Sequence, residues 1–290
     1  MHAFLIPEWL RSYRVADIPA DLAAGAAVAV VLAPQAMAYA LLAGLPPVVG
    51  LYAATVPLIA YALVGSSRHL AVGPVAIISL LVHVACGKIA APGTAEYVAV
   101  ALQLALLVGL VQLALGLFRA GSMVNFLSRA AIGGFTSAAA LLIGLSQLQN
   151  LLGIAGGGGA SALELAVGLI RGIGETHLLT FGLGLAAVAV LIMLQLFFPR
   201  LPAPLAVVAG GTLVTGLFHL DQAGVKTVGN LPHGFPPLGS PVLSYEHVIA
   251  LLPTALTIAL IGYLESFAVA GSIAGKERYR LDPNRELMGL

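Results

Sequence analysis

The stretch from residue 31 to residue 84 is apolar enough to lie in a lipid bilayer, yet it contains two helix breakers, Pro34-Gln35 and Gly73-Pro74. A break at bilayer depth frees backbone groups that lipid cannot hydrogen-bond, so such breaks persist only where they line a cavity or are buried in protein. Secondary transporters build their binding sites from helices broken in this way near the midplane. The pattern therefore predicts a protein that moves a solute across a membrane.

The composition of the chain is that of a membrane protein. Of its 290 residues, 60% are hydrophobic and 9% are charged, whereas a soluble domain has about 25% charged residues. A spanning helix needs about 20 apolar residues, which predicts an all-α multi-pass protein with about eight spanning segments. The predicted segments are 21–42, 47–65, 73–87, 96–118, 128–151, 178–197, 202–220 and 248–274.

The basic residues predict an orientation in the membrane. With the N-terminus inside, ten of the 13 basic residues lie on the cytoplasmic side, as the positive-inside rule requires. This predicts a multi-pass protein of the cell membrane with a cytoplasmic lead-in at 1–20. Segments 1 to 7 then occupy 21–247, with an extracytoplasmic loop at 221–247. Segment 8 and the cytoplasmic loop after it occupy 248–290, and 160–172 is a candidate interfacial helix.

Gln35 and Tyr39 are the first candidate site residues. Gln35 follows Pro34, and it either repairs the hydrogen-bond gap left by the proline or donates to a bound anion. Tyr39 lies one helical turn later on the same face. Its side chain either packs in the interior or offers a hydroxyl there.

The second candidate element is the start of the third segment, where an extended approach from His69 ends in Gly73-Pro74. Such an approach leaves a helix N-terminus inside the protein, where free N–H groups and the positive end of the helix dipole favour an anion. The alternative is an ordinary short helix with proline in its first turn.

Glu265 is the acidic residue that the sequence places well inside an apolar segment. A carboxylate at membrane depth is costly and is by default a functional hypothesis. Protonation of Glu265 beside an anion site would remove a repulsion and so couple proton entry to anion entry. The alternative is a structural hydrogen bond to a neighbouring half-helix. Aligning 33–44 with 263–274 places Gln35 opposite Glu265, as inverted repeats do around a midplane site.

Enzymatic chemistry is not indicated by any motif in the sequence. There is no P-loop, no His/Cys group with metal-ligand spacing and no nucleophile motif. We therefore expect no enzyme activity, no cofactor, no metal and no nucleic-acid partner. An anion channel or a voltage-sensing scaffold is the alternative to a coupled transporter.

Two long stretches of the chain resemble one known family. PQAMAYALLAGLPPVVGLYAATVPLIAYALVGSSRHLAVGPVAIISLL, at 34–81, resembles the signature of the sulfate permease (SulP) family, also called solute carrier family 26. LIGYLESFAVAGSIAGKERYRLDPNRELMGL, at 260–290, resembles the eighth helix of that family and the cytoplasmic loop after it. The spacing between the two stretches fits as well, so the resemblance extends over essentially the whole chain.

The resemblance implies an architecture of fourteen segments in two inverted repeats of seven, in which a core domain moves against a gate domain. Family members usually end in a cytoplasmic STAS domain and form homodimers. We expect residues 1–290 to hold the first repeat and the start of the second, with segments 1 and 3 broken and the STAS domain absent.

The resemblance also implies roles for the candidate site residues. Its matching positions line the anion pocket or face the substrate, and they are Gln35, Tyr39, Pro74, Val75 and Ala76, with Gly73 beside them. Some relatives bind sodium on the eighth helix through an aspartate and a threonine. Here Glu265 and Ser266 replace that pair, which favours a proton over sodium and leaves Ser266 as a candidate ion ligand.

The function that the resemblance implies is secondary active anion transport across a lipid bilayer. Proton-coupled sulfate symport by alternating access is the specific expectation. The alternatives are a bicarbonate or dicarboxylate transporter, coupled to sodium or protons, an anion exchanger and an anion channel.

Overall fold

The computed structural model describes residues 13–122, 129–154, 162–199, 201, 203–227, 234 and 244–290, and the regular secondary structure of these residues is helical. The predicted all-α class is therefore confirmed. Much of the predicted lead-in at 1–20 and of the predicted loop at 221–247 lies outside the described residues. The helices are α1 (Ile18–Leu42), α2 (Pro47–Ala53), α3 (Val56–Val64), α4 (Ala76–Gly87), α5 (Ala95–Leu117), α6 (Arg129–Leu152), α7 (Ala162–Gly172), α8 (Leu178–Phe197), α9 (Ala203–Leu217), α10 (Tyr245–Glu277) and α11 (Pro283–Gly289).

Five stretches in the described part of the chain are long and apolar enough to cross a membrane: Val15–Leu42, Pro47–Val64, Ala95–Leu117, Leu178–Phe197 and Tyr245–Glu277. Two further predicted segments correspond to the shorter apolar helices α4 and α9, and another corresponds to α6. The chain is thus a multi-pass membrane protein, and the count of eight segments stays a prediction.

The two predicted helix breaks have different outcomes. The break at Pro34 is wrong, because α1 runs through Pro34 without interruption. A proline removes one N–H donor from a helix, and the remaining bonds of a 25-residue helix maintain it on both sides. The break at Gly73-Pro74 is confirmed. Residues 70–75 have no regular structure, and Val75 is extended, with φ −129° and ψ 148°, directly before α4.

The chain divides into two compact units. The first unit comprises the described residues within Met1–Leu22, Ala36–Gly133 and His233–Leu290. The second unit comprises those within Ala23–Gln35 and Gly134–Pro232. Helices α1 and α6 each contribute residues to both units.

The core of the first unit is built by α4, α5 and α10. Helix α10 packs against α5 and α4, and α5 also packs against α4. Two polar side chains connect the helices to backbone carbonyls: the Tyr263 hydroxyl donates to the Gly121 carbonyl at 2.7 Å, and Gln112 Nε2 donates to the Ala259 carbonyl at 3.3 Å. The buried apolar cluster consists of Ala85, Cys86, Ala90, Tyr97, Val100, Ala101, Leu104, Leu107, Leu251, Ala255 and Ile258.

The chain after α10 returns to the first unit and is more than the loop that the sequence predicts. Arg278 ends α10 in the left-handed conformation, with φ 57°. Asp282 then begins α11, because its side chain accepts hydrogen bonds from the backbone N–H groups of Asn284 and Arg285 and so caps the helix. Helix α11 packs against α5 and α3. An N-cap aspartate followed by Pro283 at the first helical position explains why a helix forms here.

The second unit contains α7, α8 and α9, and α8 packs against α9. His177 begins α8, where its Nδ1 accepts a hydrogen bond from the Thr180 N–H at 3.3 Å. Although α8 is long and apolar enough to span a membrane, none of its residues is buried. Helix α7 is the short helix that the sequence predicts at 160–172.

Candidate functional site

A cavity of about 280 Å³ lies within the first unit. Its walls are the C-terminal half of α1, the helices α2 and α4, and the extended segment before α4. The lining residues are Tyr39, Ala40, Ala43, Leu45, Val49, Gly50, Ala53, Pro57, Val72, Gly73, Pro74, Val75, Ile78, Ser79 and Val82.

Gly50 allows two walls of the cavity to meet. A Cβ atom at this position would come within 2.0 Å of the Ala36 carbonyl oxygen and 3.0 Å of the Ala40 Cβ. Only glycine therefore permits α2 to approach α1 so closely. This crossing places Tyr39, which follows Ala36 by three residues on α1, at the cavity that α2 helps to enclose.

The extended segment forms another wall and leads directly into α4. Val72, Gly73, Pro74 and Val75 line the cavity, and the helix begins at the next residue, Ala76. No side chain caps the first turn of α4. The positive end of the helix dipole and the first N–H groups therefore lie at the cavity wall, which is the arrangement that favours an anion.

The chemistry of the lining is apolar apart from two hydroxyl groups. Tyr39 and Ser79 supply these hydroxyls, and no acidic or basic side chain lines this cavity. Ser79 is buried, and the sequence analysis did not single it out. It lies one helical turn after Val75, so its spacing from the Gly73-Pro74 break could have identified it as a residue of the same wall.

The structure brings four of the predicted site residues together: Tyr39, Gly73, Pro74 and Val75 line the same cavity. The other four do not line it. Gln35 is exposed and belongs to the second unit, and Ala76 is buried at the first position of α4. Glu265 and Ser266 lie on α10. The roles assigned to all eight residues stay predictions.

Glu265 lies close along the chain to a contact between α10 and the cavity wall. A Cβ atom on Gly262 of α10 would lie 3.1 Å from the Cδ1 atom of Ile78, which lines the cavity. Ser266 follows Gly262 by one helical turn, and Glu265 follows it by three residues. One carboxylate oxygen of Glu265, Oε2, is buried and has no hydrogen-bond partner in the described part of the structure.

Comparison with known proteins decides the family. Residues 18–290 match the sulfate permease family. The chain belongs to this family. Sulfate permeases are transporters and not enzymes. "Sulfate transporter 4.1, chloroplastic" of Arabidopsis thaliana is 40% identical to the chain over 291 residues, which cover 97% of this chain and 42% of that protein.

Two solved structures are similar to this sulfate permease family chain. The structure of SLC26A9 has a TM-score of 0.83 and 29% identity, and the match covers 98% of this chain and 48% of that one. The transmembrane domain of the cyanobacterial bicarbonate transporter BicA has a TM-score of 0.79 and 23% identity, over 96% of this chain and 71% of that one. The chain thus spans less than half the length of the Arabidopsis relative and of SLC26A9.

Proposed function

We propose that this protein is a secondary active anion transporter that takes up sulfate together with protons by alternating access. The cavity in the first unit is the observation that carries the proposal. Its lining includes Tyr39 and the extended Gly73–Val75 segment at the start of α4, where no side chain caps the helix, in a member of the sulfate permease family.

The cavity offers an anion partial charges in place of a full positive charge. The N–H groups in the first turn of α4 and the positive end of its dipole provide the attraction. The Tyr39 and Ser79 hydroxyls add donors at the wall. Because the lining carries no lysine or arginine, the bound anion is held by hydrogen bonds and a dipole. Such binding allows the anion to be released on the other side of the membrane.

Sulfate is the substrate favoured by similarity. A relative that is 40% identical over almost the whole chain is named a sulfate transporter. The structural likeness to BicA lies below 25% identity, so it supports the fold and leaves sulfate as the first substrate to test. Bicarbonate is the natural second substrate for the same assay.

Glu265 is the proposed proton site. Its Oε2 atom is buried without a hydrogen-bond partner in the described structure, and an ionised carboxylate in that position is costly. A bound proton removes the charge. Glu265 also lies three residues from Gly262, where α10 meets the cavity wall. We expect its protonation to remove a negative charge close to this contact and so to favour occupation of the cavity by an anion.

The test is uptake of labelled sulfate into proteoliposomes that contain the full-length protein, with and without an inward proton gradient. We expect the gradient to drive uptake in the parent protein. In Glu265→Gln, which cannot take up the coupling proton, we expect uptake that no longer depends on the gradient. The matched control is Glu246→Gln, because Glu246 lies on the same helix and is exposed.

The possible outcomes separate the parts of the proposal. Gradient-dependent uptake that persists in Glu265→Gln would refute Glu265 as the proton site. Gradient-independent uptake in the parent protein would refute proton coupling. No sulfate uptake, with uptake of labelled bicarbonate, would refute sulfate as the substrate.

A further inference from the structure

Glu286 is a buried carboxylate that the proposed transport site does not use. It lies in α11 and is 0% exposed. Four groups donate hydrogen bonds to its carboxylate, and all of them lie at the end of α3 or in the loop that follows it, residues 65–71. The Tyr61 hydroxyl donates to Oε2 at 2.6 Å, and Oε1 accepts from the Ser66 N–H at 2.9 Å, the Ser67 N–H at 3.0 Å and the Ser66 hydroxyl.

The residues between α10 and α11 hold the same loop at further points. The Ser66 hydroxyl accepts a hydrogen bond from the Asp282 N–H at 3.1 Å. The Tyr279 hydroxyl lies 3.1 Å from the Ser67 hydroxyl and 3.3 Å from His69 Nδ1. The rings of Tyr279 and His69 are also in contact, with their centroids 5.6 Å apart. Residues 279–286 therefore contact the loop at Ser66, Ser67 and His69.

The loop leads directly to the wall of the cavity. Within the loop, the Ser67 hydroxyl accepts hydrogen bonds from the His69 N–H at 3.3 Å and from the Leu70 N–H at 3.2 Å. Two residues after Leu70, Val72 begins the extended segment that lines the cavity. Residues 72–75 have no regular secondary structure. Helix α4 holds one end of this segment, since the Val75 carbonyl accepts a hydrogen bond from the Ser79 N–H at 3.0 Å, and the loop holds the other end.

We propose that Glu286 is a positioning residue for anion binding: by fixing Ser66 and Ser67, it sets where residues 72–75 lie in the cavity wall. A carboxylate suits this role because hydrogen bonds to a charged acceptor are shorter and about twice as strong as neutral ones. Truncation would leave the partly buried backbone N–H groups of Ser66 and Ser67 without their acceptor. We expect the loop to move so that these groups find other partners. The link to transport rests on the proposed function, whereas the position of the segment can be measured without transport.

The test uses the cysteine chemistry of this chain. Cys86 is the single cysteine of residues 1–290 and is 0% exposed, so the background is Cys86→Ala, with any cysteine outside these residues also replaced by alanine. Val72→Cys then reports on the extended segment, and Val49→Cys reports on the α2 wall of the same cavity. The rate of maleimide labelling is measured for both probes in the full-length protein. Each probe is combined with Glu286→Ala, with Glu286→Gln and with a control, Glu277→Gln, whose side chain is exposed at the end of α10.

We expect Glu286→Ala to change the labelling rate at Val72→Cys at least fivefold and to leave Val49→Cys and all Glu277→Gln rates unchanged. Glu286→Gln keeps the shape and one acceptor oxygen, so we expect a smaller change in the same direction. In sulfate uptake, we expect Glu286→Ala to raise KM at least fivefold with the maximal rate within twofold.

Two results would overturn the inference: an unchanged rate at Val72→Cys, or equal changes at Val72→Cys and Val49→Cys, which would indicate general loosening. If Glu286→Ala is not recovered as folded protein, Glu286→Gln decides by the same comparison of probes. An absence of sulfate uptake in the parent protein would refute the proposed function, and the labelling rates would still decide the role of Glu286.

Discussion

Helices α5 and α8 differ in burial although both are long and apolar enough to span a membrane. Eight residues of α5 are buried, including Tyr97, Gln103 and Gln112, because α10, α11 and α4 pack against it. Helix α8 has no buried residue. An apolar sequence indicates that a helix can lie in lipid, because lipid tails are as apolar as leucine. It does not indicate which helices pack against each other.

Contacts between helices in the first unit involve small residues and polar groups in addition to apolar side chains. Gly50 lets α2 touch α1, and the Tyr263 hydroxyl and the Gln112 amide reach backbone carbonyls. Interfaces between membrane helices are enriched in small residues and in side chains that hydrogen-bond across the interface. Paired substitutions in the two units can break or sharpen this comparison.

The largest effect is expected at Gly50. Gly50→Ala places a Cβ atom 2.0 Å from the Ala36 carbonyl oxygen, and the forced separation of α1 and α2 should lower the free energy of unfolding by about 3 kcal/mol. A Cβ atom added at Gly182 of α8 would have no other atom within 4 Å. Gly182→Ala should leave stability unchanged or raise it by about 0.5–1 kcal/mol through helix propensity. Denaturant titration in detergent measures both, and equal losses would contradict the comparison.

The next effect concerns the cavities of the two units. Ala53→Phe fills part of the cavity in the first unit, so we expect sulfate uptake to fall at least tenfold, which corresponds to about 1.4 kcal/mol. A cavity of about 620 Å³ in the second unit is lined by Thr212, His219 and Asp221, among others. Thr212→Phe there should leave uptake within twofold of the parent. A similar loss in both variants would show that the first cavity is not the specific site.

A smaller effect is expected at Tyr263. Tyr263→Phe removes the buried hydrogen bond to the Gly121 carbonyl and should lower the free energy of unfolding by about 1 kcal/mol. Tyr245→Phe on the same helix is the control, because Tyr245 is 79% exposed. The same denaturant titration compares them. If Tyr245→Phe is as destabilising as Tyr263→Phe, the hydroxyl contact is not what stabilises α10.

The smallest effect is expected for the glutamines of the two helices. Gln112→Leu in α5 removes the hydrogen bond to the Ala259 carbonyl, and polar contacts of this kind average about 0.6 kcal/mol in membrane proteins. Gln195 of α8 is exposed, so Gln195→Leu should cost nothing measurable. Unfolding of the two variants side by side provides the measurement, and a cost at Gln195 alone would reverse the comparison.

Much of the fold could be predicted from the sequence, because the hydropathy of a segment depends only on the residues of that segment. The predicted segment 178–197 has the bounds of α8, and 96–118 differs from α5 by one residue at each end. The extended approach to α4 could also be predicted, since Gly73-Pro74 prevents a helix from starting earlier. At Pro34 the same kind of reasoning was wrong, because one missing N–H does not end a helix that continues for a further two turns.

The site could be predicted only in part. The sequence singled out Tyr39 and Gly73 to Val75, which line the cavity, and it also singled out Gln35, which is exposed in the structure and does not line it. It singled out Glu265 as the only acidic residue well inside an apolar segment. Glu286 lies outside such a segment, after a run of charged residues, and is nevertheless 0% exposed.

The sequence by itself determined that this chain is an all-helical membrane protein of the sulfate permease family with a break before α4. Those properties depend on apolar runs, on prolines and on motifs that are contiguous in the chain. Only the tertiary structure decided that Tyr39 meets the extended segment at a cavity and that Glu286 is buried against Ser66 and Ser67. These contacts join residues distant in sequence, and the burial of a side chain depends on which helices pack around it, which local patterns do not specify.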